Sequence, residues 1–184
     1  CSDGTLATWG NNSVGQLGNG GSTTAHSNVP VLVNASGALL GKTPVAIAAG
    51  HDFSVVLCSD GTAVSWGVNT NGQLGNNSTI RSAVPVLVDA DGILLGKTIT
   101  GIAAGGSHVL ARGSDGSLYA WGQNTNGQLG DGTNTRSLVP VLINGGALAG
   151  KKVLRIAAGN NHSFCTCTDG TMAGWGNNNF GMIG

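Results

Sequence analysis

Trp66-Gly67-Val68-Asn69-Thr70-Asn71-Gly72-Gln73-Leu74-Gly75 decides the fold, because the chain carries this stretch four times. Further copies start at Trp9 (Trp9-Gly10, Asn11, then Gly15-Gln16-Leu17-Gly18) and at Trp121 (Trp121-Gly122, Asn124, then Gly127-Gln128-Leu129-Gly130). The copy at Trp175 is degenerate: Trp175-Gly176 and Gly181 persist, while Met182-Ile183 stands before Gly184. Successive copies lie 57, 55 and 54 residues apart. A fixed period of that length means one supersecondary unit copied along the chain.

Each full unit holds four apolar runs separated by turn signals. The first, Thr43 to Gly50, recurs at Ile99 to Gly105 and Val153 to Gly159, each shrinking to Ala-Ala-Gly at its end. Gly50, Gly105 and Gly159 thus mark where backbones converge near a common axis. The second run, Phe53 to Cys58, recurs at His108 to Arg112 and His162 to Cys167. It leads to Asp60-Gly61, Asp115-Gly116 and Asp169-Gly170, a dipeptide that predicts a type I′ hairpin. The third run ends at the Trp, always six residues after the Asp, so the hairpin fixes its register.

Trp9, Trp66, Trp121 and Trp175 read as wedges between adjacent units, since no side chain buries more area. In the loop that follows, the glycines supply positive φ, the Asn closes an Asx turn and the Leu returns to the core. The fourth run, Val84-Pro85-Val86-Leu87-Val88 and its counterparts at Val29 and Val139, carries a proline and so predicts an outer edge strand. No 3.6-residue periodicity runs through any unit, which excludes a helical solenoid. The pattern predicts an all-β chain of β-propeller blades, each a four-stranded antiparallel sheet of about 55 residues. The units divide at approximately 1–42, 43–97, 98–151 and 152–184, giving three blades and a fraction.

Composition narrows the function classes. Charged residues are only 9% of the 184, and the net charge is zero, with eight aspartates against eight Lys and Arg. No basic stripe exists to neutralise phosphates, so nucleic acid is not an expected partner. No apolar run reaches the ~18 residues of a membrane helix, so membrane insertion is not expected either. The four cysteines read as small buried hydrophobes rather than a disulfide framework. Cys1, Cys58 and Cys167 occupy equivalent places in different units, and Cys165 and Cys167 are neighbours along one strand.

His51, His108 and His162 invite a catalytic or metal reading. Two of them share one repeated position, however, and so belong to separate blades; a hydrogen bond to a neighbouring turn is the expected role. His26 lies in a loop two residues longer than its counterparts and reads as exposed. Asp131-Gly132-Thr133-Asn134 resembles a calcium loop but lacks the bidentate acid, and it reads as a turn. Neither a cofactor nor a catalytic or metal site is expected, and a small-molecule substrate is not favoured.

Ala157 to Ser163 (Ala-Ala-Gly-x-x-His-Ser), then Asp-Gly-Thr, then Trp-Gly-x-Asn-x-x-Gly-Gln-Leu-Gly, then Pro, resembles the RCC1 (regulator of chromosome condensation) repeat along essentially the whole chain. Phe53 departs from the family's His, and Val109 from its Ser. Leu40-Gly41-Lys42, Leu95-Gly96-Lys97 and Leu148 to Lys151 resemble repeats of large secreted bacterial proteins, which implies an extracellular or cell-surface setting. The resemblance also implies a closed ring, commonly of seven blades. Three blades and a fraction cannot close a ring, so the chain is expected either to be part of a longer one or to assemble with other copies.

These readings favour a non-catalytic interaction or structural scaffold that meets a protein partner, or further copies or parts of the same propeller. The contacts are expected at the variable loops, Thr23 to His26, Ile80-Arg81 and Thr135-Arg136. The alternatives implied by the family are a guanine nucleotide exchange regulator of a small GTPase and a propeller-type enzyme inhibitor. The first would want charged patches and the second exposed aromatic clusters, and the chain is poor in both.

Overall fold

A computed structural model describes residue 1 and residues 4–21 and 26–184. The candidate loop residues Thr23, Thr24 and Ala25 lie outside the described residues. Among the described residues, thirteen strands form four antiparallel sheets. The two complete sheets are β3(Pro44–Ala49)-β4(Phe53–Cys58)-β5(Ala63–Gly67)-β6(Ser82–Leu87) and β7(Ile99–Ala104)-β8(His108–Gly113)-β9(Leu118–Gly122)-β10(Ser137–Ile143). They are flanked by a pair, β1(Ala7–Gly10)-β2(Ser27–Leu32), and a triple, β11(Val153–Ala158)-β12(His162–Cys167)-β13(Met172–Gly176). The expected blade architecture is therefore the observed one, and the proline strands β2, β6 and β10 all lie at sheet edges. A break in register accompanies each proline, at Ser65/Gly67 on the β5–β6 ladder and at Ser137/Val141 on β9–β10.

Blades stack face to face, so the inner strands of the two complete blades are buried on both sides. Every residue of β4 is buried, and alternate residues serve different cores. Phe53, Val55 and Leu57 join Tyr119 and Trp121 of the next blade, whereas Val56 and Cys58 join Val33, Leu39 and Trp66 toward the preceding one. A third layer, with Leu110, Leu118, Leu129, Cys165 and Cys167, seals the following seam. The hydrophobic core is thus a set of interblade layers, and the period-2 alternation of each strand distributes side chains between two of them.

Two sequence expectations are corrected here. The Asp-Gly turns are not type I′, which would need a positive φ at the Asp. Asn77 is the one non-glycine with positive φ among the described residues, and Gly61 alone carries the left-handed step (φ +82°). The Gly61 amide donates to the Cys58 carbonyl (2.9 Å) and the Cys58 amide to Thr62 (2.9 Å), the pattern of a three-residue loop closed by a glycine bulge. Asp60 instead uses its carboxylate, which accepts from the Thr62 amide (3.0 Å) and hydroxyl (2.7 Å). The second correction concerns Cys1, which is exposed, while Cys58, Cys165 and Cys167 are buried and all four are free thiols. Burial pushes the Cys165 thiol up to about 12, consistent with unreactive core groups. Among the described residues, no helix is long and apolar enough to cross a membrane.

Candidate functional site: the interblade seam and the loop face

The strand directions give the blades two distinct faces. One carries the turns after β3, β7 and β11 together with the Trp-Gly loops. The other carries the Asp-Gly turns and the connections between blades. The loop face holds the candidate interaction residues, and its rigidity comes from the seams beneath it.

Each seam is built around a backbone carbonyl. The Trp66 indole donates to the Gln16 carbonyl (2.9 Å), Trp121 to Gln73 (3.0 Å) and Trp175 to Gln128 (2.9 Å). Trp66, Trp121 and Trp175 therefore each cap the Gly-Gln-Leu-Gly loop of the blade before them. A Cβ placed on Gly18, Gly75 or Gly130 would fall 2.6–2.7 Å from that indole nitrogen, so a glycine with positive φ is needed for the ring to lie flat on the loop. Trp66 and Trp121 are fully buried, whereas Trp9 is 66% exposed and makes no such wedge.

The loop Asn is its internal hub. Asn69 Oδ1 accepts from the Leu74 amide (2.9 Å), while its Nδ2 donates to the carbonyls of Ser78 (2.9 Å) and Ile80 (3.1 Å). Asn124 repeats this toward Leu129, Thr133 and Thr135. In the first unit the hub is Asn12, whose Oδ1 accepts from the Leu17 amide (3.1 Å), and not Asn11 as the sequence motif suggested. Asn11 sits one residue early and only closes a local turn onto the Ser13 amide. Asn69→Ala strands several buried backbone groups and is expected to cost about 1–3 kcal/mol, read as a lowered urea midpoint with an unchanged slope.

Toward the axis, the turns run together. The His51 amide donates to the Gly106 carbonyl (3.1 Å), and the Gly106 amide to Asn160 (3.0 Å). A Cβ on Gly50 would lie 2.7 Å from the Gly105 carbonyl oxygen, and one on Gly105 2.4 Å from that of Gly159. The Ala-Ala-Gly endings therefore answer to close approach between neighbouring blades.

The histidines do not converge on a metal. No cluster of three or more His, Cys, Asp or Glu suited to one exists among the described residues. His108 is fully buried, its Nε2 lies 2.9 Å from Ser163 Oγ, and that hydroxyl donates to the Gln128 carbonyl (2.7 Å). His26 is exposed. Asp131 Oδ1 accepts from the Thr133 amide (3.0 Å), the Thr133 hydroxyl (2.9 Å) and Asn124 Nδ2 (3.0 Å), which makes this segment a turn.

The described residues among the predicted contacts, His26, Ile80, Arg81, Thr135 and Arg136, lie on the loop face. Ile80 is 75% exposed, and Thr135 is exposed above its blade. Arg81 and Arg136 are also exposed but are partly committed. Arg136 Nη1 donates to the Thr70 carbonyl (2.7 Å) and Arg81 Nη1 to Ser13 (3.4 Å), each reaching the loop of the preceding blade.

On the opposite face, Lys42–Asp60 (2.5 Å), Lys97–Asp115 (3.0 Å) and Lys151–Asp169 (2.5 Å) form one ion pair per blade, unforeseen from the motifs. The constant 18-residue Lys-to-Asp interval was the available signal. The Lys42 ammonium and then the Thr62 bonds lower the Asp60 carboxyl to about 2; the Ser117 amide and then Lys97 do the same for Asp115. Such exposed pairs stabilise little, so Lys42→Met is expected to lower stability by less than ~1 kcal/mol in chemical denaturation.

Residues 3–57, 60–112 and 115–166 each match the family profile described as "Regulator of chromosome condensation (RCC1) repeat". The chain belongs to the RCC1 repeat family. It is 34% identical over 176 residues to the ultraviolet-B receptor UVR8 of Arabidopsis thaliana, covering 96% of the chain and 38% of UVR8. It is 36% identical over 166 residues to the human E3 ubiquitin-protein ligase HERC2, covering 90% of the chain but 3% of HERC2. Among solved structures, human WBSCR16 superposes with TM-score 0.79 at 26% identity, covering 92% of the chain and 42% of that protein. The RCC1-repeat chain thus spans less than half the length of these relatives. They are human and plant proteins, so the bacterial variant drawn from Leu-x-Gly-Lys finds no support among them.

Proposed function

We propose that this RCC1-repeat chain is a non-catalytic scaffold that presents its loop face to a protein partner. The observation that carries this reading is the division of labour within each unit. Trp, Asn, Gln and Gly hold neighbouring loops rigidly together, and the Ile80 and Thr135 carbonyls serve the Asn hubs, while the side chains of Ile80, Thr135 and His26 take no part in the bonds described above. Rigid support under variable, exposed loops is how repeat folds build recognition surfaces. The relatives support the reading in a second way: the same repeats occur in a ubiquitin ligase and in an ultraviolet-B receptor, so the repeat itself fixes neither activity. An extracellular or cell-surface setting belongs to the same proposal, supported by loops rich in Asn, Ser and Thr and a net charge of zero.

The test compares the two faces. Immobilised wild-type chain, an Ile80→Asp/Thr135→Asp variant and a Leu95→Asp variant of the opposite face are challenged with proteins from the source organism, and captured species are quantified. A partner lost at least ten-fold by the loop-face variant and retained by Leu95→Asp supports the proposal. Equal retention by both variants, or loss only with Leu95→Asp, overturns it.

A further inference from the structure

Asn-Gly occurs four times, at Asn19-Gly20, Asn71-Gly72, Asn126-Gly127 and Asn144-Gly145. This pair favours cyclisation of the Asn side chain onto the next nitrogen, because a glycine has no Cβ to crowd that nitrogen. In three of the pairs the glycine amide is already committed. Gly20 donates to the Ala83 carbonyl (2.9 Å), Gly72 to Asn69 (3.0 Å) and Gly127 to Asn124 (2.9 Å). The Gly145 amide has no acceptor among the described residues. Asn144 and Gly145 are both exposed, between β10 and the short 3₁₀ turn Gly146–Leu148, on the face opposite the loop face. We propose that Asn144 is a site of spontaneous deamidation in the folded chain, and that the fold protects the other three Asn-Gly pairs. The inference is independent of the loop-face reading.

The Asn144 side chain is equally uncommitted. At the same place in the two preceding units, Asn34 Oδ1 accepts from the Ser36 amide (2.9 Å) and hydroxyl (2.6 Å), and Asp89 Oδ1 from the Asp91 amide (2.9 Å). Asn144 makes no such bond among the described residues, so its Cγ can turn onto the Gly145 nitrogen. The bare amide is a feature of this connection in each unit. Ala35 and Ala90 stand where Gly145 stands; both are exposed, and neither amide donates to another group. That holds in the first connection even though β6 packs against the turn Gly37–Leu39 that follows Ala35. The residue pair is what sets the third connection apart. Asn34 is followed by an alanine, and Asp89 has no amide to lose.

The reaction needs only water and hydroxide. The Gly145 nitrogen gives its proton to hydroxide and attacks Asn144 Cγ; the Cγ–Nδ2 bond breaks and ammonia leaves, closing a succinimide. Water then opens the ring. Cleavage at Cγ gives aspartate, and cleavage at the main-chain carbonyl gives isoaspartate, so the net change is the exchange of ammonia for water. A glycine amide that already donates must first give up that bond before it can lose its proton, which is why the three committed pairs are protected. Either product adds one negative charge to a chain whose net charge is zero. Aspartate at this place repeats what Asp89 does in the preceding unit. Isoaspartate lengthens the main chain just before Gly146–Leu148, where Leu148 is buried in the same core layer as Leu118 and Ile143.

The experiment incubates the chain at pH 8.5 in heavy-oxygen water, once folded and once in concentrated urea, and follows each Asn-Gly pair by peptide mapping and mass spectrometry. Isoaspartate is counted separately by methyl transfer from labelled S-adenosylmethionine with an isoaspartyl methyltransferase. In the folded chain Asn144 should take up heavy oxygen at least ten-fold faster than Asn19, Asn71 or Asn126, and the isoaspartate should map to residue 144. In urea the four pairs should react at comparable rates. Gly145→Ala should slow the reaction at Asn144 at least ten-fold. This variant is expected to fold, because Gly145 has a negative φ (−98°), a Cβ there meets nothing within 4 Å, and alanine already fills the place in both preceding units. An intact Asn144, or another pair keeping pace with it in the folded chain, overturns the inference. So does a preference for Asn144 that persists unchanged in urea, since local sequence rather than the fold would then select the site.

Discussion

Trp121→Ala is expected to destabilise the chain by about 3–5 kcal/mol, while Trp9→Ala changes stability by less than ~1 kcal/mol. The two residues occupy the same repeat position, so propensity, neighbours and strand register are nearly matched between them. Trp121 is fully buried against Phe53, Val55 and Leu74 and donates its indole proton to the Gln73 carbonyl; Trp9 is 66% exposed. Removing Trp121 therefore opens a cavity in the seam and leaves a buried carbonyl without its donor. Val109 stands where Ser163 supplies a second donor to Gln128, so Gln73 has no hydroxyl to fall back on. Urea unfolding of the two variants measures the difference directly. Equal costs for both would show that the repeated Trp acts within its own blade rather than across the seam.

That contrast also marks how far the residues could be read without coordinates. The period, the Asp-to-Trp interval and the proline placed the blades and their strand order, because each is a side-chain constraint repeated in register. The acceptor of the Trp indole was not legible, since it is a main-chain carbonyl and carries no letter. Arg81 and Arg136 were legible as variable loop residues but not as staples, because their partners belong to a loop some 66–68 residues earlier. Asp-Gly suits two hairpin types, and only the φ of Asp60 separates them. Asn11 was preferred to Asn12 because two adjacent asparagines follow Trp9-Gly10, and the spacing from the Trp resolves the choice.

The second large effect is acid sensitivity centred on His108. Ser163 spends its hydroxyl proton on Gln128, so the hydrogen-bond network assigns the proton of the 2.9 Å contact to His108 Nε2. Nδ1 is then the bare nitrogen; it is buried against Gly105 and has no hydrogen-bond partner. A second proton would have to enter at Nδ1 as a buried N–H without an acceptor. Desolvation, reinforced by His162 nearby, lowers the His108 pKa from 6.5 to about 4.

Between these values the unfolded chain binds a proton that the folded chain refuses, so stability falls as the pH drops from 6.5 toward 4. Below that, both states are protonated and the loss levels off at about 3 kcal/mol. Asp60 and Asp115, held at about 2, lose their contributions only below the ordinary carboxylate range and so fall outside this window.

The blade before carries the control, because Phe53 fills the equivalent position and is buried to 1%. His108→Phe should thus fold, lose about 1 kcal/mol at pH 7 with the Ser163 bond, and show a flatter profile between pH 6.5 and 4. Denaturant midpoints at pH 7, 5.5 and 4 for both chains give the comparison. Parallel profiles would place the acid-sensitive group elsewhere in the molecule, whereas profiles that cross, leaving His108→Phe the more stable chain by about 2 kcal/mol at pH 4, assign it to the His108–Ser163 seam.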